Sequence, residues 1–231
     1  MKFDIEWGVH ALLKLLADFE FNNIIDIGSG DGHHKKCMEY FGKDVYSVDM
    51  AKNADYVGDF IEIDFDKQFD AIWCSHVLEH QRNVGFFLEK LYSVLKPNGV
   101  LALVVPTHDR EVLISGHVTS WSVPLLCYNL IEAGFDCSEA SVLNTYELSI
   151  IVRKKEAKHS DRGKNSIFGS EKGNSDVFGH ISEFFPFAAK QGLKLGGVGG
   201  INWGSMTHYN LNKDVEITSS KADMYLKPVI V

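Results

Sequence analysis

The stretch Asn23-Ile24-Ile25-Asp26-Ile27-Gly28-Ser29-Gly30-Asp31-Gly32 limits the possible folds more than any other part of the chain. A short β-branched run with an embedded acid ends in alternating glycines. It reads as a buried strand entering a tight turn where backbone must approach something closely. Residues 33–41 follow without Pro or Gly and read as a helix. Strand, glycine turn and helix in that order make a nucleotide-cofactor site.

The rest of the chain supplies further units of the same kind. Residues 7–19 carry Val9, Leu12, Leu13, Leu15 and Leu16 near helical period, a lead-in helix beside the sheet. A second strand is expected over Asp44–Asp49 and a third, shorter one over Tyr56–Asp59. The fourth, Phe69–Cys74, is apolar enough to be buried on both faces, with Phe69 and Trp73 in the core. An amphipathic helix over Asn83–Leu95 stops at Lys96-Pro97-Asn98-Gly99, and a fifth strand runs from Val100 to Val105. A helix over Trp121–Ala133 precedes two final strands, Phe135–Leu143 and Tyr146–Val152, read as an antiparallel hairpin. The pattern predicts an α/β fold: a doubly wound, mostly parallel seven-stranded sheet with a C-terminal appendage. Three regions are expected: a cofactor-binding domain over 1–153, a polar linker or loop over 154–176, and an aromatic, Gly-rich appendage over 177–231.

Charge and cysteines narrow the partners. A formal charge of -8 argues against nucleic acid or an anionic membrane as the main partner. No apolar run reaches membrane-spanning length, and the first residues lack a secretory pattern. Cys37, Cys74, Cys127 and Cys137 show no ligand spacing and fall in expected helices or strands. Buried free thiols in a cytoplasmic protein are therefore expected.

The glycine turn itself discriminates between cofactors. A dinucleotide loop wants G-x-G-x-x-G, but the third glycine position is occupied by His33. Asp26, two residues before the first glycine, would repel a pyrophosphate and suits a cationic amino group. S-adenosylmethionine (SAM) carries an ammonium and a sulfonium and no phosphate, so the electrostatics favour it.

Asp26-x-Gly28-x-Gly30-x-Gly32 resembles the first motif of class I SAM-dependent methyltransferases. Asp49 matches the acid that binds the ribose hydroxyls in that family, and Gly58-Asp59 resembles the segment that meets the adenine amino group. Residues 69–80 are similar to the fourth-strand motif of the type 11 subgroup, and residues 95–101 to the turn before its fifth strand. The resemblance covers about residues 22–152 in the right order. It implies SAM as cofactor, with Asp26, Gly28, Ser29, Gly30, Asp49, Met50, Asp59 and Ser75 around it. Asp31 is read as a cap of the following helix.

His76-Val77-Leu78-Glu79-His80 also fits H-x-x-E-H, a zinc-protease signature. That signature needs a helix, whereas the methyltransferase pattern expects a short turn here, so no metal is expected. Ser75 and His76 then line the methionine and acceptor mouth. The loop after the fifth strand leaves the sheet's carboxyl edge and brings His108 and His117, candidates for a general base or substrate ligand. Methyl transfer to a small-molecule or saccharide acceptor, on oxygen, is the expected reaction. A non-catalytic SAM-fold binding protein and an NAD-dependent oxidoreductase are the alternatives. The sequence leaves the oligomeric state open.

Overall fold

The computed structural model describes residues 1–107, 113–155, 184–186 and 199–231. In chain order the elements are β1 (Lys2–Asp4), α1 (Val9–Asp18), β2 (Asn23–Ile27), α2 (His33–Tyr40), β3 (Asp44–Asp49), β4 (Tyr56–Val57) and β5 (Phe69–Ser75). They continue with α3 (Val84–Val94), β6 (Leu95–Pro106), α4 (Val123–Glu132), β7 (Ser141–Asn144) and β8 (Glu147–Arg153). The C-terminal region adds β9 (Gly199–Ile201), β10 (His208–Tyr209), β11 (Glu216–Thr218), α5 (Ser220–Tyr225) and β12 (Val229–Ile230).

The main sheet has eight strands in the order β4-β3-β2-β5-β6-β8-β7-β9. The strands from β4 through β6 run parallel, while β8, β7 and β9 pair antiparallel. The first seven are the expected doubly wound set. The eighth is supplied by the C-terminal region and adds to the edge at β7.

Why the central strands read as unbroken apolar runs is clear from their two faces. Ile25 and Ile27 point into one core with Ile72, Cys74, Leu101, Leu103 and Val105, covered by α3 and α4. Ile24, Ala71, Trp73, Val100, Ala102 and Val104 point into a second core. That second face is closed by Leu12 and Leu15 of α1, Cys37 and Met38 of α2, and Trp203 and Tyr209 of the C-terminal region. Alternate residues of one strand thus serve two cores, so no polar alternation survives. All four cysteines are buried and free, as expected.

Two local expectations need correcting. The strand expected from Phe135 begins only at Ser141. The Asp136 side chain accepts the Ser138 N–H at 2.9 Å, and Ala140 N–H bonds Cys137 O at 2.9 Å, so residues 136–140 turn instead of extending. Asp31 does not cap α2: the N-cap is Gly32 in the left-handed region, at φ 73°, with no side-chain cap. A glycine there reverses the chain without steric cost.

The C-terminal region is tied to α1 through a polar core. His10 Nδ1 lies 2.7 Å from Tyr209 OH, and His10 Nε2 lies 2.6 Å from the Leu226 carbonyl. Trp203 Nε1 donates to Tyr209 OH at 3.2 Å, and Lys14 Nζ donates to the Trp203 carbonyl at 2.7 Å. Near the chain start, β11 pairs in parallel with β1. The short helix α5 follows Ser219, whose Oγ accepts the Ala222 N–H at 3.2 Å.

Candidate active site

From β2 the chain winds outward through β3 and β4, then returns to β5 on the other side of β2. The winding direction reverses between β2 and β5, and a crevice opens there beyond the strands' carboxyl ends. Gly28, Gly30 and Gly32 all have positive φ, at 73°, 51° and 73°. At Gly28 space is limiting as well as conformation. A Cβ would lie 2.2 Å from Val77 Cγ2, so the turn packs against the segment leaving β5.

Asp26 lies beneath this turn with 1% of its surface exposed, and its Oδ2 has no hydrogen-bond partner. Burial pushes its pKa up to about 7, with the Asp49 charge adding to the rise and Lys35 opposing it. A buried carboxylate oxygen without a donor is costly in isolation and fits a cationic ligand group. Asp49, at the end of β3, accepts the Gly30 N–H through Oδ2 and the Ala51 N–H through Oδ1, both at 2.8 Å. Its carboxylate is thereby oriented at the mouth with acceptor capacity to spare. The exposed Asp59 holds its own turn by accepting the Ile61 N–H at 3.0 Å.

A cleft of about 480 Å³ is lined by Gly28, Asp49, Met50, Asp59, Phe60 and His80, among others. Gly28, Asp49, Met50 and Asp59 therefore share one cleft. Ser29 is buried beneath the turn, and Ser75 Oγ is buried without a hydrogen-bond partner at the end of β5. The residues present fit SAM: a buried acid with one donor-less oxygen, an oriented acid at the mouth, and a glycine turn that approaches closely.

Beyond β5 the chain bends sharply. His76 takes a left-handed conformation at φ 56°, and Leu78–His80 form a single 3-10 turn. This is not the α-helix that a zinc-protease reading of H-x-x-E-H requires. His76 Nε2 lies 3.1 Å from Glu147 Oε2, and His76 Nδ1 lies 3.5 Å from Glu79 Oε1. Burial alone would lower the His76 pKa, but Glu147 and then Glu79 outweigh it and raise it to about 9.

Glu147 was not singled out from the sequence. It is 2% exposed and accepts the Gly8 N–H through both oxygens, at 2.9 and 3.0 Å. Gly8 has φ 73°, and a Cβ there would lie 2.7 Å from Trp73, so the approach of α1 needs this glycine. Trp7 stacks beside His76 with centroids 4.7 Å apart, and Tyr146 lies 6.3 Å from Trp7. Tyr225 stacks on Tyr146 at 5.6 Å, and Lys221 Nζ sits 5.2 Å over Trp7. The only advance signal for this cluster was the place of Glu147 near the start of an expected strand; the structure then pairs it with Pro106 at the end of β6.

His117 lies on the loop after β6, with its ring 4.9 Å from that of His80. His108 lies outside the described residues. The structure thus brings His76, His80 and His117 around Glu79.

Comparison with known proteins agrees with this geometry. The family described as "Methyltransferase domain" matches residues 7–133. Ubiquinone biosynthesis O-methyltransferase of Rickettsia conorii is 25% identical over 123 residues, covering 46% of this chain and 43% of that protein. The chain spans about half the length of the curated relatives it matches, 43% and 52% of the first two. Human N-acetylserotonin methyltransferase in complex with SAM has a similar fold, with TM-score 0.51 and 18% identity over 64% of this chain and 51% of that one. A SAM-dependent methyltransferase from Archaeoglobus fulgidus matches with TM-score 0.50 and 17% identity, covering 63% of this chain and 93% of that one. At such identities the structural matches speak for the fold.

Proposed function

The chain belongs to the SAM-dependent methyltransferase family, and on that premise we propose that it transfers a methyl group from SAM to an oxygen of a small-molecule or sugar-like acceptor. The observation that carries this reading is the buried Asp26 Oδ2, donor-less beneath three left-handed glycines at the switch point of the sheet. When bound, SAM supplies an electrophilic methyl on a sulfonium. Asp26 holds its ammonium, Asp49 its ribose hydroxyls and Asp59 its adenine amino group. Gly28, Ser29 and Gly30 let backbone approach, while Met50 and Ser75 line the ends of the site.

Because the methyl is already activated, the protein's main task is alignment of the acceptor. Trp7, His76 and Tyr146 wall the acceptor side, and Lys221 and Tyr225 of the C-terminal region complete it, a reading supported by the tilted Trp7–His76 contact, the stacked Tyr146–Tyr225 pair and the Lys221 cation over Trp7. His76 and His117 are the histidines that meet the acceptor, with His108 on the same loop. Oxygen as acceptor atom is supported by the names of the curated relatives and by the histidines at the mouth. A small acceptor is supported by the net charge of -8, which disfavours a polyanion.

Titration with SAM and with NAD tests the cofactor: NAD binding without SAM binding would sink the proposal. A proton count sharpens that test. In the free protein Asp26 keeps its proton until about pH 7. An ammonium beside it favours the carboxylate and lowers that pKa. At about pH 6, SAM binding should therefore release close to one proton, and affinity should fall as pH is lowered. Calorimetry in buffers of different ionisation enthalpy measures the release, and Asp26→Asn should abolish it.

For the acceptor side, His117→Ala is expected to lower turnover by about 10²-fold or more, with SAM affinity retained. Turnover at the wild-type rate would remove His117 from the reaction.

A further inference from the structure

We propose that Glu79, His80 and His117 form a binding site for one divalent first-row transition ion of the zinc type, placed beside the cofactor cleft. The inference goes beyond the methyl-transfer reading and rests on it only for what the ion would do. One ligand atom from each of the three residues lies within 4.8 Å of the other two. This differs from the metal-free expectation for the His76–His80 segment, and it uses a different set: His76 turns toward Glu147, and His117 takes the third place.

Glu79 carries the argument. It is fully buried at 0% exposure, yet neither carboxylate oxygen has a hydrogen-bond donor. The nearest imidazole nitrogens are His76 Nδ1 at 3.5 Å and His80 Nε2 at 3.8 Å, both measured to Oε1, so Oε2 is left without any donor. A buried carboxylate left in this state costs free energy that a bound cation would recover.

His80 has the tautomer a metal requires. Its Nδ1 lies 2.9 Å from the Gly116 carbonyl, which can only accept, so Nδ1 carries the hydrogen. In the neutral ring Nε2 then presents a lone pair on the Glu79 side. An imidazole whose second nitrogen donates to a backbone carbonyl is the usual arrangement of a metal-bound histidine.

The third ligand is brought in by backbone. Val118 and Thr119 donate their N–H groups to the Glu79 carbonyl at 2.8 and 3.2 Å, and His117 N–H bonds Ile114 O at 3.1 Å. Gly116, at φ 83°, makes the turn and leaves the His117 ring edge-on to His80, at an interplanar angle of 84°. The loop is therefore fastened to the same segment that carries the other two ligands.

Two imidazoles and one carboxylate select a borderline ion over Mg²⁺ or Ca²⁺, which prefer oxygen sets. Three protein ligands leave an open position, as in catalytic rather than structural sites. His80 also lines the cofactor cleft, so that position would open beside it. An acceptor hydroxyl bound to such an ion gives up its proton more readily.

The test uses the full chain, with Zn²⁺ and Mg²⁺ titrated calorimetrically and Co²⁺ as a spectroscopic probe. The expected result is one saturable Zn²⁺ equivalent that displaces Co²⁺ and its visible absorption, with weaker Mg²⁺ binding. His117→Ala and the isosteric Glu79→Gln should each weaken that equivalent by at least about tenfold, since loss of a group that merely hydrogen-bonds a metal's ligand already costs roughly 10–100-fold. Thermal unfolding of both variants establishes that they fold. His117 is only half-buried, so its variant keeps the test informative should Glu79→Gln be unstable. Absence of saturable Zn²⁺ binding, or equal binding by wild type and His117→Ala, would overturn the site. SAM titrated in parallel separates the two readings. SAM binding without Zn²⁺ binding removes the metal alone, and Zn²⁺ binding without SAM binding keeps the site and removes methyl transfer.

Discussion

Replacing Asp49 with alanine should weaken SAM binding by roughly a hundred- to ten-thousand-fold. The proposed role gives its carboxylate two ribose hydroxyls, and each hydrogen bond to a charged group contributes about 1.5–3 kcal/mol. The carboxylate is already aimed, because Gly30 and Ala51 donate to it from opposite sides at 2.8 Å. Truncation thus removes the ligand contacts and also frees the Gly30 amide that shapes the turn. Titration calorimetry with SAM reads the loss directly. Asp49→Asn, which keeps one acceptor, should fall between wild type and alanine. Affinity unchanged in Asp49→Ala would reject the ribose assignment.

The largest effect on stability is expected from Trp203→Ala, at about 3–5 kcal/mol, the usual range for deleting a buried aromatic. Trp203 is 1% exposed within the core shared by α1, α2 and the inner strands. Its indole donates to Tyr209, which sits 2.7 Å from His10, and its carbonyl takes the Lys14 ammonium. Removing the ring opens a cavity and deletes the indole donor to Tyr209, while the backbone carbonyl that takes Lys14 remains. Urea unfolding would show a lower midpoint at unchanged slope. A change below about 1 kcal/mol would mean that residues 199–231 cover the sheet without stabilising it.

That prediction marks how far the C-terminal region could be read in advance. Its aromatic content pointed to docking, but nothing local indicated where. A strand of three residues, Gly199–Ile201, carries too little pattern to announce itself. It becomes a strand because β7 offers an unpaired edge. The shortened β7 shows the opposite case. Phe135, Cys137 and Ala140 are buried and apolar, so the segment reads as a strand, yet the Asp136 side chain satisfies the backbone as a turn.

Around the site the same division holds. Asp26, the three glycines and Asp49 were legible because their requirements are local: a buried strand, a left-handed turn, an acid at the next strand's end. Glu147 was not, because its partners Gly8 and His76 lie 139 and 71 residues away in sequence. His80 was read only as part of the H-x-x-E-H pattern, since its neighbour His117 lies on a loop after another strand.

The amino-acid sequence by itself determined the strand–turn–helix unit, the mostly parallel character of the sheet and the electrostatic preference for a cationic cofactor. Those follow from backbone sterics, burial on two faces and the position of one acid, all written within a few neighbouring residues. Only the tertiary structure decided which side chains meet at the mouth. An antiparallel β8 beside β6 carries Glu147 to the sheet's carboxyl edge, and the 114–119 loop bonds back to Glu79. Contacts of that kind depend on which strands become neighbours, and residue spacing along a chain does not contain that information.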